Sequence, residues 1–351
     1  MAPLAADSLT GRWVDGPRLP RPLTNNAVAA VTELDGTGHL FSFLGLAASK
    51  RYTGIVRDAY GLAPEEGRWR SLPPVPGPDG RLAATAQGLG GRVYLFGGYT
   101  VDAEGEERSL PNVQVFDPAT NRWSERAPIP VPVDDAVSGV WRDSLIFLVS
   151  GWSQRDNVAN VQVYDPASDR WRQATRIPGP PVFGHAGGII GDVVVYCDGV
   201  TVDRSRRPAF GITNRCFRGE IEPENAAVVH WAEIPAHPGA PVYRAAAGPL
   251  PGRGLLVFAG GTSNPYNYDG IGYDGRPSAP AARTFAYEAA TGAWLRGPPV
   301  PVPSMDHRGL VRVGSELWSI GGMEEGQRVT ARVRRLLLDA AAPAKELPSR
   351  R

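Results

Sequence analysis

Five short apolar runs along the chain end in small residues: "VYLFGG", "LIFLVSG", "VVVYCDG", "LLVFAGG" and "LWSIGG", with "LFSFLGLA" as a worn sixth. Each is rich in β-branched and aromatic residues, too short for a helix, and bounded by glycine, so each predicts a strand. Ahead of each lies a run of small apolar residues opened by a polar one: "NAVAAV", "RLAATA", "DAVSGV", "HAGGII", "RAAAGP" and "HRGLVR". After it, in the clearest copies, comes an aromatic strand closed by "DPATN" or "DPASD", with Asp and Pro where a type I turn wants them. A tryptophan and a proline-rich exit complete the unit, as in "TNRWSERAPIPVP", "SDRWRQATRIPGP" and "TGAWLRGPPVPVP".

The tryptophans Trp13, Trp69, Trp123, Trp171, Trp231 and Trp294 recur every 48–63 residues. A fixed period of this size signals a repeat architecture. Each unit reads as four strands, a to d: strand b ends in the glycine pair, c precedes the DP turn, and d carries the tryptophan. The di-glycine, spaced aromatic and tryptophan together resemble the kelch family over residues 9–338. The resemblance implies an all-β fold, a single six-bladed β-propeller whose radial repetition leaves only short sheet edges. After Trp294 the chain supplies three strands, near 307–313, 316–320 and 328–337, but no fourth. Trp13 is the missing member, so the last blade is expected to be closed by the N-terminal strand. Residues 339–351 read as a loose tail.

In four-stranded antiparallel blades, the d-to-a and b-to-c connections share one face. The turns of the other face are mostly short ("LGGR", "WRDS", "VGSE"), whereas b-to-c segments such as "YTVDAEGEERSLPN" and "TSNPYNYDGIGYDGRPSAPAA" are long. Long loops on a rigid scaffold commonly carry function. At that face the first residues of the six inner strands are Asn26, Arg81, Asp135, His185, Arg244 and His307, preceded by Asn25, Gly80, Asp134, Gly184, Tyr243 and Asp306. A solvated rim would also be polar, but six converging positions that differ from one another fit a ligand site.

Composition narrows the class. The chain has 351 residues, 42 glycines and 34 prolines dispersed along it, and a net charge of +1, which provides no field for nucleic acid or membrane. No run reaches 18 apolar residues, and the N-terminus lacks the pattern of a secretory signal. Cys197 and Cys216 are the two cysteines. They are read as buried free thiols, with their closeness across adjacent strands left open, and a cytoplasmic location is the simplest expectation.

Arg81 and Arg244 are candidates to fork a carboxylate or phosphate. His185 and His307, with Asp135 and Asp306, are candidate general acids and bases. Asn26, Tyr243 and Tyr268 are candidate substrate contacts, and the loop holding Tyr266, Tyr268 and Tyr273 is a candidate lid. The set suits isomerase- or lyase-like chemistry on a small polar anionic ligand without an organic cofactor. The architecture is similar to that of the kelch N-acetylneuraminate epimerases, which implies a site at the propeller mouth and a carbohydrate ligand. It is also similar to the propeller of galactose oxidase, but the adjacent Asp306-His307 stands where that family's copper site needs Tyr-His. Two alternatives stay open: a divalent-metal site built from His185, His307 and Asp135, and a non-enzymatic platform for a protein partner.

Overall fold

Six indole N–H groups tie the repeats into a ring. In the computed structural model, which describes residues 8–32 and 37–339, Trp69 Nε1 donates to Pro17 O (2.8 Å), Trp123 to Pro73 O (2.9 Å) and Trp171 to Ala127 O (2.9 Å). Trp231 donates to Thr175 O (3.1 Å), Trp294 to Pro235 O (2.8 Å), and Trp13 closes the circle on Pro298 O (3.1 Å). Each acceptor lies four residues beyond the preceding blade's tryptophan. The repeat therefore pairs tryptophan with a proline-rich exit because each tryptophan reads the exit of the blade before it.

Six four-stranded antiparallel sheets radiate from the axis in the order a-b-c-d. The inner strands of blades 1 to 6 are Ala27–Thr32, Thr85–Leu89, Val137–Trp141, Ala186–Ile190, Ala246–Leu250 and Val311–Val313. Blade 6 joins Val311–Val313, Glu316–Ile320 and Val333–Leu338 to the N-terminal strand Gly11–Asp15, with Trp13 opposite Leu336. Closure by the N-terminal strand is thus as expected. Arg328–Val329, expected to begin the third strand, instead pairs with Met323–Glu324 in a separate hairpin. The tail expected at 339–351 lies outside the described residues beyond Asp339.

The core sits between blades. Phe41 and Phe43 of blade 1 meet Phe116 and Trp123 of blade 2 edge-on, at 5.2–5.9 Å. The glycine pair has a related cause. Gly97 holds φ 57°, and a Cβ there would meet Val133 O of the incoming next blade at 2.1 Å. In the worn copies Ser150 and Asp198 adopt the same left-handed backbone, and their side chains bond the next blade. Ser150 Oγ donates to Val182 O (2.8 Å), and Asp198 Oδ2 accepts from Val242 N (2.7 Å) and from His237 Nε2 (2.7 Å).

Cys197 and Cys216 face each other across strands b and c of blade 4 and form a disulfide. This corrects the free-thiol reading: antiparallel register placed the two directly opposite, a pairing that spacing alone could not resolve. The argument for a reducing compartment falls with it. Among the described residues no helix is long and apolar enough to cross a membrane.

Long b-to-c connections rise from one face as hairpins: Tyr99–Val101 with Glu107–Ser109, Trp152–Ser153 with Asp156–Asn157, and Val200–Val202 with Phe210–Ile212. The blade 5 loop, residues 262–283, reaches furthest. Lys50 Nζ of blade 1 donates to Asp269 O (3.1 Å), Tyr99 Oη of blade 2 to Asn267 Oδ1 (3.2 Å), and Gln327 Nε2 of blade 6 to Ser278 O (2.9 Å). Phe210 of blade 4 stacks on Tyr273 at 4.2 Å. The loop caps the axis on the elaborated face.

Candidate functional site

Six residues with left-handed backbone surround the axis beneath that cap: Asn25 (φ 56°), Ala83 (55°), Asp135 (51°), Gly184 (61°), Arg244 (49°) and Asp306 (67°). Their main chains hydrogen-bond from blade to blade. Asp135 N donates to Ala83 O (3.0 Å), Gly184 N to Asp135 O (3.0 Å), Arg244 N to Gly184 O (2.8 Å), and Asn25 N to Asp306 O (3.1 Å). His307 N donates to Arg244 O (3.1 Å), and the Asn25 side chain completes the ring by accepting from Ala83 N (2.8 Å). These are the equivalent positions. The expected register held at Asp135 and Arg244 but was one residue late at Asn26, His185 and His307, and two early at Arg81. A one-residue slip sends a side chain to the other face of a strand, so the correction turns Asn26, His185 and His307 away from the ring, and the two-residue offset puts Ala83 in the place expected for Arg81.

The ring carries a buried ion network. Arg244 forks Asp135 (Nε to Oδ1 3.0 Å, Nη2 to Oδ2 2.6 Å), while its Nη1 donates to Asp306 Oδ1 (3.0 Å) and Asn267 O (2.6 Å). Arg308 also donates to Asp135. Thr24 Oγ1 (2.6 Å) and Asn25 Nδ2 (3.1 Å) complete the shell of Asp306. Burial acts to raise the Asp135 pKa, but Arg244 and Arg308 outweigh it and hold the carboxylate below its ordinary value. The Arg244 guanidinium also lies over the rings of Tyr243 (4.9 Å) and Tyr266 (5.4 Å). Two arginines and two aspartates balance, and the network plugs the channel.

Two spaces flank the plug. Below it, a cavity of about 790 Å³ follows the axis past the small inner-strand residues Ala29, Gly139, Gly188 and Ala247 to the turns holding Gly90, Arg142 and Asp192, on the plain face. Above it, on the elaborated face, is a recess of about 170 Å³. Tyr99, Trp152, Phe183, Phe210 and Tyr273 wall it, Asp135, Arg244 and Asn267 border it, and Asp134 and Glu107 complete the lining. The walls come from connections of blades 2, 3, 4 and 5.

Asp134 is held firmly. Its backbone pairs with Trp152 in both directions (3.0 Å each), and Ser109 Oγ donates to its Oδ2 (2.6 Å). Burial, then the charge of Asp135, push its pKa well above the carboxylate range. Glu107 stands at the exposed rim and accepts from Asn267 Nδ2. Among the described residues neither carboxyl group has a basic side chain within ion-pair distance.

The comparisons agree with this architecture. The Kelch motif family matches residues 80–130, which run from the mouth of blade 2 through its tryptophan. The solved structure of YjhT superposes with a TM-score of 0.72 at 18% identity, covering 94% of this chain and 98% of that one. The chain is a six-bladed β-propeller with a Kelch motif in its second blade. Among curated proteins it is similar to Beta-scruin of Limulus polyphemus, 25% identical over 42% of this chain, and to Kelch-like protein terF of Aspergillus terreus (strain NIH 2624 / FGSC A1156), 27% identical over 40%. The matched segments span only 15% and 30% of those two proteins.

Within this propeller the expected site residues divide. Asp135, Arg244 and Asp306 meet in the plug, with Tyr243 packed behind it, its hydroxyl donating to Tyr266 O (2.9 Å). The others serve inter-strand and inter-blade contacts, and of these His185 and His307 also line the lower cavity. Arg81 bonds Gly97 O (2.8 Å) and Gln114 Oε1 (2.5 Å) inside blade 2 and lines neither space. Asn26 Nδ2 donates to Ser42 Oγ (2.8 Å). His185 Nε2 meets Val149 O (3.0 Å), and His307 Nε2 meets Ser304 Oγ (2.9 Å). Burial lowers the pKa of His185 to about 4 and that of His307 to about 3, so both rings are neutral near pH 7. Tyr268 packs with Leu46, Leu82 and Tyr99 rather than on the recess. His185, His307 and Asp135 each have other partners, and among the described residues no group of three His, Cys, Asp or Glu is placed to hold a metal. The residues missed from sequence are Thr24, Arg308, Asn267, Glu107 and the aromatic wall. Asn267, Glu107 and most of the wall lie in loops of unequal length, where only proximity in space relates them, whereas Thr24 and Arg308 flank ring positions already singled out.

Proposed function

We propose that this propeller binds a small molecule in the recess of its elaborated face, with Asp134 as the group that takes or gives a proton there. The observation that carries the reading is the recess itself: aromatic side chains from four blades around a carboxyl group that is buried, positioned by Ser109 and raised in pKa. Isomerase- or lyase-like chemistry would then run through Asp134, since Asp135 and Asp306 are held by arginine and the two histidines line the lower cavity rather than the recess. An anionic ligand, expected from Arg81 and Arg244, draws no support from this geometry. Arg81 is elsewhere, and Arg244 is neutralised by two carboxylates.

A protein-binding platform draws less support. Such a face would present a contiguous apolar patch, whereas the exposed large hydrophobic residues among those described are Tyr52 and Ile271. The test is a thermal-shift screen of small polar compounds on the wild type and on Asp134→Asn and Trp152→Phe. A compound that stabilises the wild type and loses its effect in both variants supports the recess. A protein partner retained equally by all three, with no small molecule stabilising any, overturns it.

A further inference from the structure

We infer that the recess selects a small organic cation, an alkylated ammonium group, seated against its aromatic wall. The inference rests on the reading of the recess as a small-molecule site and names the ligand class.

Three observations converge. The wall is a cage rather than a flat surface. Trp152 meets Phe183 edge-on at 5.6 Å, Phe183 meets Phe210 edge-on at 6.1 Å, and Phe210 stacks on Tyr273 at 4.2 Å. The rings fix one another at these contacts and together line the recess, and the ring faces left open to it attract cations, alkylated ammonium groups above all. The charge also has the right sign. Arg244 and Arg308 are matched by Asp135 and Asp306, so no unmatched basic group faces the recess, and the Asp134 and Glu107 carboxyl groups, both raised in pKa by burial, are groups that a bound cation would bring to ionisation. Asp134 is 3% exposed, and the contact to its carboxyl group engages Oδ2 through Ser109; among the described residues Oδ1 accepts no hydrogen bond. Finally, the size fits. An apolar cavity of about 150 Å³ accepts benzene, and a tetraalkyl ammonium head of similar bulk fits the recess of about 170 Å³.

A primary ammonium ion would need several hydrogen-bond acceptors in the cage. The wall supplies mostly ring faces, so methylated ammonium is favoured over lysine-like ammonium.

The test is calorimetric titration with tetramethylammonium, its neutral isostere tert-butanol, and acetate. The proteins are the wild type, Trp152→Phe, Asp134→Asn, and Glu107→Gln at the exposed rim, where folding is not at stake. The inference expects tetramethylammonium to bind the wild type at least about tenfold more tightly than tert-butanol, the order of one desolvated cation–π contact. It also expects Glu107→Gln and Asp134→Asn to reduce that preference. Binding of tert-butanol or acetate in preference to the cation, with loss in Trp152→Phe, leaves the recess a ligand site and overturns the cationic class. If no probe binds any protein, both the class and the site reading fail.

Discussion

Replacing Arg244 by Met strands charge inside the mouth of the propeller. Asp135 keeps Arg308, so the uncompensated group is Asp306, whose side chain is 0% exposed and retains neutral partners, Thr24 and Asn25 among them. Breaking a buried ion pair from one side costs about 3–5 kcal/mol. The polar contacts that remain put this case at the lower end, about 3 kcal/mol. With an unfolding entropy of about 2.1 cal/mol/K per residue, a chain of 351 residues has about 0.7 kcal/mol/K. The melting temperature should therefore fall by about 4 °C. Adding Asp306→Asn removes the stranded charge and should recover much of the loss. The pH dependence follows from Asp135, whose pKa is depressed by its arginines. Stabilisation from such a group is present above the ordinary carboxylate pKa and lost as pH falls through the depressed value. The gap between wild type and Arg244→Met should therefore narrow in acid. Scanning calorimetry at pH 7 and pH 3 checks both points, with Arg206→Met, a side chain 80% exposed, as control. A shift no larger than the control's, or no recovery in the double variant, refutes the network as a stabilising plug.

The remaining predictions concern the histidines, the ring closure and the disulfide. His185 and His307, with pKa values lowered by burial to about 4 and about 3, should show no imidazole titration by NMR between pH 5 and 8. Because these values lie below that of unfolded histidine, stability should fall as pH drops below about 6.5, and a midpoint near 6.5 for either residue contradicts their burial. Trp13→Phe removes the indole N–H that closes the propeller on Pro298 and Thr284. It should cost about 1–2 kcal/mol in urea unfolding, and an unchanged midpoint contradicts a closing role for that bond. Alkylation of the unfolded, unreduced protein should label neither Cys197 nor Cys216. Reducing their 19-residue link should cost about 3 kcal/mol, and labelling without reductant contradicts the pairing.

The fold was legible because it repeats. Trp13, Trp69 and their counterparts mark the same inter-blade bond six times, and a missing fourth strand beside Trp294 pointed back to Trp13. The site was less legible because it lies where the repeats diverge. Ala83 and Gly184 bear no mark of sharing a position with Asp135 and Arg244. Only the left-handed backbone common to all six relates them, and a polar residue such as Arg81 or His185 is a tempting but displaced substitute. Asp306 was recognised one step out of register, as the neighbour of His307. The aromatic wall depends on hairpins from separate blades. Trp152 and Phe210 each read as an ordinary loop aromatic, and Tyr273 only as part of a candidate lid, until the ring closes and brings them together.

The most direct test of the account is a crystal structure of the protein soaked with tetramethylammonium and, separately, with sulfate. The account predicts a tetrahedral cation inside the cage of Tyr99, Trp152, Phe183, Phe210 and Tyr273, beside Asp134, with Arg244 still forked on Asp135 and no sulfate against it. An empty recess at saturating cation, or a sulfate bound to Arg244 in place of Asp135, would contradict it.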